Sequence, residues 1–299
     1  MAITLKQLRV FVAVAHESTL TAASERLFLT KPAVSLALAE LERQCQQRLF
    51  DRHNNRLYLN EQGRRMLPLA DELLQRSDDL EQLFTQQHTL TGQLRIGASY
   101  TIGHQVLPYL LRDFRRDSGH RQQQVTIANS AAICTALERF ELDIGMIEGR
   151  TEHEVLEVTP WRVDRMLIAA ASDHPLAGQG RIPLDALDHQ EWVLREPGSG
   201  TREQFMRFIA PLLEHWHVTL EFNSAEAIIN ATAAGLGLTC LSELEAYHAL
   251  RDGRLVEIDV PLDMQRRFSL ITHREKYQSP LMQRFVAFCL DQPDDGQRG

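Results

Sequence analysis

The chain has 299 residues, 43% hydrophobic and 24% charged, which suits two or three globular domains and excludes a disordered or membrane-spanning class. The opening segment carries Lys6 and Arg9 among its apolar residues, so no secretory leader is expected and the cytoplasm is the expected location. The net charge of -8 is uneven: residues 1 to 65 hold ten Lys and Arg against six Asp and Glu, or +4, which leaves -12 for residues 66 to 299. A basic head on an acidic body fits nucleic-acid binding by the head alone.

Leu5, Leu8, Phe11, Val12 and Ala15 recur at helical spacing and predict a first helix. Thr19 to Leu27 predicts a short second helix, with Ala22 and Ala23 small enough for close packing. After a break at residues 28 to 31, Thr30 can cap a third helix that starts near Lys31, and Pro32 is tolerated in its first turn because the amide it lacks has no partner there. Val34, Leu38 and Leu41 must face a core, which leaves Lys31, Pro32, Ser35 and Ala39 outward. Short polar side chains there suit either a solvated face or a helix in a DNA major groove. Residues 51 to 59 predict a hairpin wing, with Asn54-Asn55 at its turn and Arg52 and Arg56 flanking the tip, placed for phosphates or a minor groove.

Ala22-Ala23, the run Lys31-Pro32-Ala33-Val34-Ser35, Leu41-Glu42, Leu49-Phe50-Asp51-Arg52, Leu57 and Gly63 together resemble the head of LysR-type transcriptional regulators. The resemblance implies a winged helix-turn-helix over residues 1 to 60 that binds a double-stranded operator through Thr30, Lys31, Pro32, Ser35, Arg52 and Arg56. The chain departs from the family at Lys31, where Gln is usual, at Cys45-Gln46, where Leu-Gly is usual, and at Asn60, where Thr is usual. Gln reads adenine bidentately, whereas Lys favours guanine or a phosphate, so the family's base preference does not transfer.

A long linker helix follows over residues 61 to 90. Met66, Ala70, Leu73, Leu80 and Phe84, with Ser77 in register, form a stripe like a coiled-coil seam up to about His88. About 28 residues at 1.5 Å each would span roughly 42 Å, too long for a compact head. The stripe predicts antiparallel pairing with a second copy, hence a homodimer, and the resemblance implies a homotetramer of such dimers.

Residues 91 to 299 read as α/β. Strands are expected at 125 to 128, 143 to 147, 165 to 170, 192 to 194, 237 to 241 and 268 to 272, with helices that include 105 to 117, 130 to 140, 202 to 216 and 224 to 234. This body resembles the two-lobed, type 2 periplasmic-binding-protein-like effector domain of the family. The implied crossings lie near Pro160-Trp161 and Pro261 to Met264, with lobe I at 92 to 160 and 265 to 290 and lobe II at 161 to 264.

Ligands of such sheets sit beyond the carboxyl ends of strands. That places Ser99, Tyr100 and Thr101, then Asn129 and Ser130, then Glu148, and across the cleft Gly198, Ser199, Gly200, Thr201 and Arg202, at an effector site. Hydroxyls and free amides at helix starts suit a small anion, and each loop alone also reads as an ordinary helix cap. These segments resemble the CysB-like branch of the family, which associates with sulfur-containing and other small anions. That implies sulfite, sulfate or a related oxyanion, a link to sulfur metabolism, hydroxyl donation by Ser99, Thr101, Ser199 and Thr201, and Arg202 as counter-charge. Glu148 would then be protonated by burial, neutralise Arg202, or select an ammonium group, and an organic acid or amino-acid-like ligand stays open as the alternative.

Catalysis is a weak rival. Gly198-Ser199-Gly200 lacks the Gly-x-Ser-x-Gly elbow, and no His-x-x-x-His or paired-carboxylate spacing accompanies it. His215 and His217, placed two apart on an expected helix, point away from each other. The four cysteines form no CxxC pair, so no metal, cofactor or disulfide is expected. A solute-binding protein would explain the body but has no use for a wing.

Overall fold

The computed structural model describes residues 3–54, 56–82, 90, 92–149 and 153–292, so Asn55 of the wing turn and Phe84 and His88 of the linker lie outside the described residues. Helix α1 (Leu5–Glu17) begins at a reciprocal cap, in which Thr4 Oγ1 accepts from the Gln7 amide and Gln7 Oε1 accepts from the Thr4 amide. Thr19 caps α2 (Leu20–Arg26), and Thr30 caps α3 (Lys31–Cys45) with Pro32 in its first turn. Strands β1 (Phe50–His53) and β2 (Arg56–Leu59) pair antiparallel as the wing. Leu8, Phe11, Val14, Val34, Leu38, Leu41, Leu49, Phe50 and Leu57 are buried together as the head's core.

Gly63, near the start of α4 (Glu61–Gln82), seats that helix on the head: a Cβ there would lie 2.2 Å from the Leu49 carbonyl oxygen. The expected apolar stripe of α4 divides between two faces. Ala70 is buried with Leu67, and Met66 packs against the head's core, whereas Leu73 and Leu80 are exposed together with Leu69. A helix that serves both its own head and an outer face must split its apolar residues between them.

The body contains β3 (Leu94–Ala98), a single π-helical turn (Ile102–Val106) leading into α5 (Leu107–Ser118), β4 (Gln123–Ile127), α6 (Ser130–Glu138), β5 (Ile144–Glu148) and β6 (Leu156–Ala171). It continues with β7 (Glu191–Arg195), α7 (Gly200–Phe208), β8 (His217–Phe222), α8 (Ala225–Ala233), β9 (Thr239–Ser242), α9 (Glu243–Arg251), β10 (Leu255–Ile258), β11 (Gln265–His273) and α10 (Pro280–Asp291). Strands run in the order β10-β6-β11-β5-β3-β4, and β9 also pairs with β6. Strand β6 joins the lobes. Its first part pairs with β11 as far as Arg165, and from Met166 it pairs with β9 and then β10. Pro160 and Trp161 therefore still lie within lobe I pairing, and the change of partners comes at Arg165 and Met166.

Helix α7 stops at Phe208 instead of running to Trp216, because Pro211 interrupts it with a short 3-10 turn (Ala210–Leu212). His217 consequently opens a strand, and His215 stacks on His189 with ring centroids 4.6 Å apart. Each lobe has buried clusters of its own, lobe I around Ile96, Phe114, Met146, Phe268 and Phe285 and around Ile133 and Leu137, lobe II around Ile168, Trp192, Phe205 and Cys240 and around Val193 and Ile228.

Head, linker and lobe I meet in one place. Phe140, in the left-handed region at φ 58°, is buried in the head's core, and His16 Nε2 donates to the Arg139 carbonyl at 3.1 Å. Beside them Asp71 of α4 is tied to Arg95 at 3.3 Å and to Lys276 at 2.6 Å, and both cations also hold Asp143, at 2.6 and 2.9 Å.

Candidate DNA-reading face and effector cleft

The face of α3 opposite Val34, Leu38 and Leu41 is open. Thr30, Lys31, Pro32 and Ala39 are exposed and Ser35 is half-buried. Leu36, which the sequence reading passed over, is 73% exposed on that same face, one turn beyond Pro32. Phe28 in the preceding turn is 95% exposed at φ 54°. Arg52 and Arg56 are exposed on adjacent strands of the wing, diagonal across the Arg52–Leu57 and His53–Arg56 pairs. The exposed set of the head thus comprises short polar groups, two apolar side chains and two guanidinium groups, and among the described residues none buries Leu36 or Phe28.

The cleft is built from strand ends. Ser99 follows β3, Glu148 ends β5, Asp164 lies in β6 where it leaves lobe I, and Arg266 opens β11. All four side chains are buried. Arg266 spans the lobes: Nη2 donates to Thr101 Oγ1 of lobe I at 3.1 Å, Nη1 to Thr201 Oγ1 of lobe II at 3.1 Å, and Nε to Asp164 at 2.6 Å. Ser242 Oγ donates to the other Asp164 oxygen at 2.8 Å. Ser99 Oγ donates to Glu148 Oε2, Thr101 Oγ1 lies 3.4 Å from Oε1, and Arg266 Nη1 lies 3.9 Å from Oε1. A carboxylate therefore rests among hydroxyl and guanidinium donors.

The loops placed at the cleft from sequence meet across it. Gly200 lies so close to Glu148 that a Cβ would come 2.3 Å from the Glu148 carbonyl oxygen, which only a glycine allows. The Ala131 amide donates to the Gly198 carbonyl at 3.2 Å, and Asn129 caps α6 while its Nδ2 donates to Glu196 at 3.2 Å. Tyr100 carries the Arg195 guanidinium 4.5 Å over its ring. Ser130 Oγ donates to the Glu148 carbonyl at 2.9 Å, and Ser199 Oγ accepts from the Thr201 amide at 3.2 Å, so both serve the local backbone.

Arg202 is a correction. Its Nη1 donates to the Arg195 carbonyl at 2.7 Å and pairs with Glu221 of β8, so it is spent within lobe II and does not neutralise Glu148. The cations of the cleft are Arg266 and Arg195, which the sequence reading missed along with Asp164 and Glu245. The first had a signal: Arg266 shares strand parity with buried Phe268 and Leu270, and a charge on a buried face calls for partners. Among the described residues, no helix is long and apolar enough to cross a membrane.

Comparison with known proteins agrees with this architecture. Residues 5–64 match the bacterial regulatory helix-turn-helix protein, lysR family, and residues 87–294 match the LysR substrate binding domain. The HTH-type transcriptional regulator YeiE of Escherichia coli strain K12 is 38% identical over 97% of this chain and 98% of its own. CysL of Bacillus subtilis strain 168 is 32% identical over 92% of this chain and 91% of its own. Full-length OxyR from Pseudomonas aeruginosa superposes with a TM-score of 0.75 at 21% identity, over 97% of this chain and 94% of that one. The regulatory domain of Synechocystis CcmR, solved in complex with 2-PG, superposes with a TM-score of 0.60 at 27% identity, over 67% of this chain and 96% of that one. With the helix-turn-helix head and the effector domain matched in order and a relative aligned along nearly the whole chain, the chain belongs to the LysR family and is a DNA-binding transcriptional regulator, not an enzyme.

Proposed function

We propose that the regulator reads its operator through Thr30, Lys31, Pro32, Ser35 and Leu36 of α3 and through Arg52 and Arg56 of the wing, and that a small oxyanion of the sulfate or sulfite class, held between the lobes, modulates that binding. The observation that carries the effector reading is the donor set: Arg266 reaches hydroxyls of both lobes, at Thr101 and Thr201, with Ser99 beside them. Such a constellation is made by closing the lobes, so a ligand seated on it binds the closed arrangement more tightly than the open one. That difference is what regulation requires. Glu148 now takes the Ser99 hydrogen bond, and an entering anion replaces it as acceptor. The CcmR domain, 27% identical, was solved with 2-PG.

The exposed Leu69, Leu73 and Leu80 face of α4 covers itself against a second copy, which makes a homodimer presenting two heads and allows pairing of dimers. Titration calorimetry and thermal shift with sulfite and with sulfate test the effector. Ligand at a hundred times Kd stabilises the fold by about 2.7 kcal/mol, a rise of several degrees in Tm. No heat and no shift with either anion would sink the reading.

A further inference from the structure

Two buried groups in the cleft keep unused hydrogen-bonding capacity, and they are of opposite charge type. Glu245, in the first turn of α9, is 7% exposed, and neither of its carboxyl oxygens has a hydrogen-bond partner. Arg195, at the end of β7, is 1% exposed; its Nε and Nη2 donate to Glu196 at 2.8 and 3.1 Å, while Nη1 has no acceptor. The remaining ionic groups are engaged, Arg266 with Asp164, Thr101 and Thr201, and Glu148 with Ser99. A buried polar group without a partner costs stability, so folding alone gives no reason to keep these two.

The charges around Glu245 come from every side. Glu148 of β5, Asp164 of β6, Arg195 of β7 and Arg266 of β11 all act on it. Cys240 of β9 stays neutral, its thiol pushed up to about 12 by burial. Burial first, then Glu148, push the Glu245 carboxyl up to about 7 against the pull of Arg266 and Arg195. An ionised Glu245 adds a further negative charge to a cleft whose guanidinium groups are already matched by Asp164, Glu148 and Glu196.

We propose that Glu245 is a specificity-determining residue of the cleft, sharing one hydrogen with the bound oxyanion while Arg195 Nη1 donates to another of its oxygens. This rests on the oxyanion reading above. Two anionic acceptors facing each other without a hydrogen repel, whereas one proton between them makes a strong charge-assisted O–H···O bond. An anion that carries its own hydrogen donates it to the Glu245 carboxylate. A hydrogen-free anion such as sulfate enters with one proton taken from solvent onto Glu245, which then donates to the ligand. The cleft thereby distinguishes anions by whether they bring a hydrogen, most sharply above the point where Glu245 ionises.

The test compares the full-length protein with Glu245→Gln, whose amide always offers an N–H, by calorimetric titration with sulfate from pH 6 to 9. The wild type should lose about tenfold in sulfate affinity for each pH unit above pH 7, because binding draws in a proton. The variant should bind with no pH dependence and exceed the wild type on the order of 100-fold at pH 9. Parallel curves for the two proteins, or a variant that does not bind sulfate where the wild type does, would overturn the proposal. A ligand-free melting series shows that the variant folds and that Glu245 is the unpaired acid. Its carboxyl is raised in the fold from 4.5 to about 7, so the native state holds the extra proton across that window and wild-type stability falls as pH rises through it. The Tm advantage of the variant must grow between those limits and level off above them; a constant difference contradicts the assignment. Failure of the broader reading looks different: neither protein gives heat with sulfate or sulfite at any pH, which removes the ligand and this proposal together, while the melting pattern stands.

Discussion

Lys31 shows how one side chain alters what a recognition helix can read. It stands exposed at the first turn of α3, beside the free amides that Thr30 leaves partly uncapped. Lys31→Ala should weaken operator binding by about 1 kcal/mol and lower the salt slope by about one if it meets a phosphate, whereas loss of a guanine contact costs about 1 to 3 kcal/mol and relaxes specificity at one position. Ser35→Ala, on the same face, should weaken binding without lowering the stability of the head; gel shifts at two salt concentrations separate these cases. Gln46 carries a different lesson. It sits where the family places Gly, and the structure holds it in the left-handed region at φ 51°, its amide reaching the Glu42 and Arg43 carbonyls. The tertiary turn imposes that conformation on a residue that on its own disfavours it by roughly 1 to 2 kcal/mol. Residue identity exposed the departure; only the packed turn showed how it is absorbed.

Three strands act as struts between the effector cleft and the linker. Strand β3 carries Arg95 near its start and leads into Ser99, β5 runs from beside Asp143 to Glu148, and β11 runs from Arg266 toward Lys276. One end of each lies in the cleft, and the other supports the buried cluster that grips Asp71 of α4. The strands shared by the two lobes thus connect the cleft directly to the seat of α4. Lys276→Met should destabilise the protein by about 3 to 5 kcal/mol at pH 7, since it leaves Asp71 and Asp143 buried with Arg95 alone. Burial pushes the Asp143 carboxyl up, but Lys276 and Arg95 outweigh it and hold it below its ordinary value, so wild-type stability from this group is present above about pH 4 and lost as pH falls through the lowered value. In the variant the carboxyl rises, protonation relieves the strain, and the gap to wild type should narrow between pH 7 and pH 4.5. Urea denaturation at those two values checks both size and sign. Element types were legible from periodicity and caps for α1, α3 and β5. The end of α7 was not: the helix expected to run to residue 216 stops at Phe208, because Pro211 forces a 3-10 turn, and Trp216 instead packs on Phe205 from beyond that turn.

At the scale of the whole molecule, the chain is a head and a two-lobed body joined by a helix that has a face to spare. Leu73 is 51% exposed and Leu80 56% exposed along α4. Leu73→Arg should shift the protein toward monomer at micromolar concentration in light scattering, with the wild-type fold retained by circular dichroism; an unchanged mass would place the dimer contact elsewhere. What the sequence by itself determined was the order of parts: a capped recognition helix, an arginine-flanked wing, a long apolar-striped helix and a βα body, because caps, periodicity and turn residues act within a few positions of one another. What only the tertiary structure decided was which charges share the cleft. Arg266, Asp164 and Glu245 are far apart along the chain and come together through strand parity and lobe closure, whereas Arg202, adjacent to the predicted loop, is drawn off by Glu221. Short-range physics writes the elements into sequence, but the pairing of buried charges is settled by which strand ends meet.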